Sequence, residues 1–138
     1  MKNFLAGLAI VVLLMVFPLQ SALEISNERR MQVFSDIVYT AVQTSRFDGY
    51  FKQTTIDKLK NDLISQFPDL SDGDIYCNVT TTKKYRTSVF DERESINYDI
   101  RIPIRKIVAA PAFWGISDSD NKATAKRAGF VLSEVLAT

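Results

Sequence analysis

The pattern of apolar and polar positions divides this chain into an unbroken apolar run, a helical stripe and a set of alternating segments. Phe4 to Leu19 is sixteen consecutive residues without a charge or a strongly polar group. Extended from Asn3 to Leu23, the uncharged stretch reaches 21 residues, about 31 Å as an α-helix, enough to cross a bilayer. From Ser26 to Arg46 there is neither Gly nor Pro, and Met31, Phe34, Ile37, Val38, Ala41 and Val42 recur at the spacing of one helix face. One helix from about Lys2 to about Arg46 follows, apolar all round in its first half and amphipathic in its second. Pro18 is expected to kink it where lipid or neighbouring helices accommodate the lost backbone bond.

Asp48-Gly49 stops that helix. A second helix is predicted over Thr55 to Phe67, opened by a Thr54-x-x-Asp57 capping box and closed by Pro68. Alternation then predicts strands. Asp74 to Thr82 places Ile75, Cys77, Val79 and Thr81 on one face. Ser95 to Val108 places Ile96, Tyr98, Ile100, Ile102 and Ile104 inward, with Pro103 marking an edge or a bulge. Between them, Tyr85 to Phe90 is either loop or a short strand. Ala109 to Ile116 reads as an apolar loop, and Ser119 to Ala137 as a C-terminal helix with Ala125, Ala128, Val131, Val135 and Leu136 on its apolar face. The fold class is α+β: residues 1–46 form the transmembrane or filament-core helix with its amphipathic continuation, and residues 47–138 form an exported head with a short helix, antiparallel strands and a C-terminal helix.

Composition narrows the chemistry. The 138 residues carry 17 basic and 16 acidic side chains, and Lys2 supplies the surplus. A neutral exported part argues against nucleic acid as a partner, since phosphate binding needs a basic face. There is no histidine and one cysteine, Cys77. That excludes a His base, a His metal ligand, a Ser-His-Asp triad, an intrachain disulfide and Cys-rich metal sites. Glycine-rich phosphate loops are absent too. No catalytic, cofactor or metal residue is assigned, and an enzyme is not expected.

Several features have a plain reading. Asp69, Asp72 and Asp74 lack the spacing of a calcium loop and read as a solvated turn. Arg101, Arg105 and Lys106, with Lys83, Lys84 and Arg86, read as a solvent-facing row balanced by Asp91, Glu92 and Glu94. Cys77 falls on the inward parity of its strand and reads as a structural thiol. Asn78-Val79-Thr80 matches a glycosylation acceptor, a pattern common by chance. Phe113 and Trp114 are either a lid over the domain's own core or a contact with a neighbouring subunit or a membrane surface.

The fate of residues 1–22 has three readings: a cleaved signal peptide, a retained membrane anchor, or a helix that also packs on copies of itself. The run Phe4 to Leu19, Pro18 within it and the stripe Met31 to Val42 together resemble type IV pilin-like proteins, especially the short TadE-like pilin-related proteins. The resemblance covers about the first third of the chain. It implies a structural subunit of a cell-surface filament, anchored with its C-terminal domain outside and polymerising through the helix. Phe4, Leu8, Val12, Met15 and Leu19 would pack the core, Gly7 would allow close approach, and Pro18 would bend the helix. The family's prepilins are cut after a glycine and bear a glutamate five residues on; here Val12 stands five past Gly7. The implied partners are copies of the chain, the membrane and an envelope assembly machine. The alternative is a single-pass membrane protein whose exported domain belongs to a secretion or conjugation complex.

Overall fold

The computed structural model describes residues 1–86 and 94–137. Helix α1 runs from Lys2 to Asp48 without a break, through Pro18. Its end follows from Gly49, which adopts φ +83° and donates its N–H to Ser45 O at 2.8 Å. A Cβ there would lie 2.6 Å from the Lys84 carbonyl oxygen, so the reversal needs glycine for both backbone angle and space.

Helix α2 spans Gln53–Gln66. The expected Thr54 capping box is not formed: Lys52 holds the N-cap position with no side-chain cap bond, and Asp57 instead accepts from Gln53 Nε2 at 2.8 Å. A capping box does occur in the turn Asp72–Asp74, where Ser71 and Asp74 bond reciprocally. Three strands follow: β1 (Tyr76–Val79), β2 (Ser95–Ile104) and β3 (Ala123–Leu132), in the antiparallel order β1-β2-β3. The β1–β2 register pairs Tyr76 with Arg101 and Cys77 with Ile100. Pro103 lies beyond the last β1 pair, so its missing N–H interrupts no bond of that ladder.

The predicted C-terminal helix over Ser119 to Ala137 is not formed; β3 is the last element. Its alternation is legible once the strand is known. Ala125 is buried and Arg127 half-buried, while Lys126 on the opposite parity reaches Asp99 on the other face. Ala, Lys, Arg and Leu are good helix formers, but Gly129, Thr124, Phe130 and Val131 are not, and pairing along β2 outweighs the remaining propensity. Gly129 sits close against Tyr98, where a Cβ would approach the phenol oxygen to 3.0 Å.

Two compact units result. One comprises residues 1–31 and 104–123; the other comprises residues 32–103 and 124–138. The second holds most of the core. There α1 buries Phe34, Val38, Ala41 and Val42, four of the six stripe positions read from sequence, while Ile37 is half-buried; Leu59 and Leu63 of α2 and Ile96, Ile100 and Ile102 of β2 join them in the core. Burying a large apolar side chain stabilises by about 1.5–3 kcal/mol. Arg127 Nε donates to Ser35 Oγ on α1 at 2.7 Å. The C-terminal residues are stitched in by backbone bonds, Glu134 N to Arg46 O at 3.0 Å and Arg86 N to Val135 O at 2.6 Å, and by the Arg46–Glu134 ion pair. Arg86 forms an isolated bridge with Leu136. The rest of the stretch read as loop or short strand falls largely outside the described residues.

Candidate membrane-facing site

The first unit contains the apolar part of α1 and the connection between β2 and β3. The residues assigned from sequence to a filament or membrane core are exposed along this part of α1. Phe4 is 73% accessible, Leu8 53% and Met15 64%, and Val12 and Leu19 are exposed as well. Around Gly7, no atom of the described residues apart from its chain neighbours and the adjoining helix backbone comes within 4 Å of where a Cβ would stand. Pro18 lies inside the helix. This helix is long and apolar enough to cross a membrane, and none of its most apolar stretch is buried by the described residues.

The β2–β3 connection is fastened to that helix and to itself by three side-chain amides, those of Gln20, Asn27 and Asn121. Gln20 Nε2 donates to Ile107 O at 3.1 Å and to Glu24 Oε1 at 3.2 Å, while its Oε1 accepts from Ala109 N at 3.0 Å. Asn27 Nδ2 donates to Lys106 O at 2.8 Å. The buried Asn121 accepts from Ile107 N and Val108 N at 3.0 and 2.8 Å and donates to Val108 O at 2.9 Å. An amide carries both donors and acceptors, so each can close a gap between backbone groups that no ladder serves. Sequence reasoning singles out none of the three. Gln20 alone gives a local signal, as a polar residue near the end of an apolar run.

Beyond the clamp, Pro111–Trp114 forms one short 3₁₀ turn ended by Gly115 at φ +69°. Phe113 and Trp114 meet edge to face, with ring centroids 5.1 Å apart at 88°. They remain 54% and 56% exposed, so neither belongs to the buried core. Trp114, Ile116 and Val108 line an apolar cavity of about 460 Å³ with Leu13, Val16 and Phe17 of the helix.

Most of the other candidate groups serve the second unit. Asp72 pairs with Lys60 at 2.9 Å, and Asp74 caps Ser71. The Asp72 hydrogen bond holds the Lys60 ammonium above its ordinary pKa. Arg101 is taken by Asp99 at 2.5 Å and lies over the Tyr76 ring at 4.9 Å. That hydrogen bond, with the nearby positive charge, holds the Asp99 carboxyl below its ordinary value. Arg105 and Lys106 are exposed in the first unit. Of the acids read as balancing the basic row, Glu94 is buried, and Asp91 and Glu92 lie outside the described residues. Cys77 is half-buried, and burial pushes its thiol pKa up. Asn78 pairs with Asp99 in the β1–β2 register, and Thr80 Oγ1 accepts from Asn97 N at 3.0 Å. No protein-family model, curated protein or solved structure matches this chain.

Proposed function

We propose that this chain is a non-enzymatic structural subunit of a cell-surface filament, held in the membrane by its N-terminal helix before assembly and polymerising through the same helix. The observation that carries this reading is the contrast along α1. Phe34, Val38, Ala41, Val42 and Ser45 are packed into a core, whereas none of the apolar residues of the first half is buried by the described residues and most are exposed. An apolar helix of that length needs either lipid or other apolar helices around it. Moving from one to the other costs little, because both surroundings are apolar and the helix satisfies its own backbone. Repeated head-to-tail contacts of one chain then generate a helical polymer.

Leu8→Asp tests it. A carboxylate at the centre of a membrane-spanning helix costs about 2.5–3.5 kcal/mol, and Leu8 lies well inside the apolar run. The expected result is loss of filaments with the exported domain still folded; filaments at normal yield from the variant would reject the reading. A second reading, a single-pass subunit of a secretion or conjugation complex, is supported by the clamped connection, which occupies part of the α1 surface near Gln20.

A further inference from the structure

We infer that the loop Ile107–Ile116 is a membrane-interface anchor, inserting Phe113 and Trp114 into the boundary between headgroups and acyl chains on the side of the membrane where the exported domain lies. The inference rests on the membrane-spanning part of the reading above, not on polymerisation. Four observations carry it. The loop is ten consecutive residues without a charged, amide or hydroxyl side chain, I-V-A-A-P-A-F-W-G-I. Its two aromatic rings are more than half exposed. It shares a cavity with Leu13, Val16 and Phe17, which belong to the C-terminal part of the apolar run. The rings are therefore beside the part of the helix that emerges from the bilayer, the depth at which Trp is enriched.

The fourth observation concerns the backbone. Irregular chain is tolerated near hydrocarbon only where its polar groups are satisfied internally. Here Ile107, Val108 and Ala109 donate their N–H groups to Asn121 and Gln20, and Phe113, Gly115 and Ile116 donate theirs to carbonyls of the same turn. Pro111 has no N–H to satisfy. The clamp thus removes much of the desolvation cost that would keep a bare loop in water. It also explains a glutamine near the end of an apolar helix: Gln20 directs its amide to the loop backbone and to Glu24 rather than exposing it to lipid. The exposed Lys106 immediately precedes the loop, where a long cationic side chain can reach headgroup phosphates. The occupant of the apolar cavity is accordingly an acyl chain of the adjoining leaflet.

Trp114 is the only tryptophan, so its fluorescence reports on this loop alone. The test is the full chain reconstituted in phosphatidylcholine vesicles, plain or brominated near the glycerol end of the acyl chains. The expected result is a blue-shifted emission, loss of most of it in the brominated vesicles, and weak quenching by iodide. Strong iodide quenching with no loss in brominated vesicles would overturn the inference, as would shielding that occurs only when copies assemble. A companion variant, Phe17→Trp in a Trp114→Phe background, separates the two levels. Lipid quenching of this variant without lipid quenching of Trp114 in the parent keeps the membrane span and rejects the anchor. Quenching of neither rejects the span itself.

Discussion

The two ends of α1 obey different rules within one continuous helix. Near its C-terminal end, Phe34, Val38, Ala41 and Val42 fall on one stripe and are buried, while Tyr39 and Phe47 on other faces are exposed. Near its N-terminal end there is no stripe: Leu5, Leu8, Ile10, Val11 and Leu14 point in all directions and all are exposed. An amphipathic helix is built to meet one surface, and an all-round apolar helix is built to be surrounded. The burial of a hydrophobic residue is thus decided by what surrounds its element, since both halves contain similar apolar side chains.

Substitutions that separate the halves sharpen this contrast. Phe34→Ala removes a fully buried ring and should destabilise the folded domain by about 3–5 kcal/mol, with membrane association of the helix unchanged. Thermal or denaturant unfolding of the chain lacking residues 1–23 would measure it. That same truncation should itself give a soluble monomer, seen by sedimentation; continued polymerisation would place the contacts outside the apolar helix. Gly49→Ala should cost about 1–3 kcal/mol, because it puts a side chain at positive φ against the Lys84 carbonyl. An unchanged unfolding midpoint would show that the turn can relax. The smallest effect is expected from Lys60→Met, below about 1 kcal/mol, since the Lys60–Asp72 pair is at the surface.

A pH dependence should follow from Asp99. Its folded pKa lies below the unfolded value, so its contribution is present above the unfolded pKa and is lost as pH falls through the folded one. Comparing unfolding of the parent and Asp99→Asn across the acid range would reveal it; parallel curves would remove Asp99 as a source of acid sensitivity.

Much of this organisation is legible in local pattern. The stripe of α1, the stop at Asp48-Gly49, helix α2 and the alternation of β2 all depend on neighbours a few residues away. The C-terminal strand is not, because Ala125, Lys126, Arg127 and Ala128 favour a helix locally, and only pairing with β2 makes them extended. The amide clamp is hidden for the same reason. Gln20 meets Ala109 across 89 positions and Asn27 meets Lys106 across 79, distances over which no periodicity carries a signal. Phe113 and Trp114 are visible in the sequence as an apolar loop, but which way they face is legible only from their exposure.

Everything proposed for assembly requires that the apolar helix stay on the chain and form the core of a polymer. Intact mass spectrometry of filaments sheared from cells that make this protein decides this. The chain is expected in that fraction with residues 8–23 present, the mass also showing whether cleavage occurs at Gly7. A sheared fraction devoid of the chain, with the whole of it in the membrane, would refute the filament core.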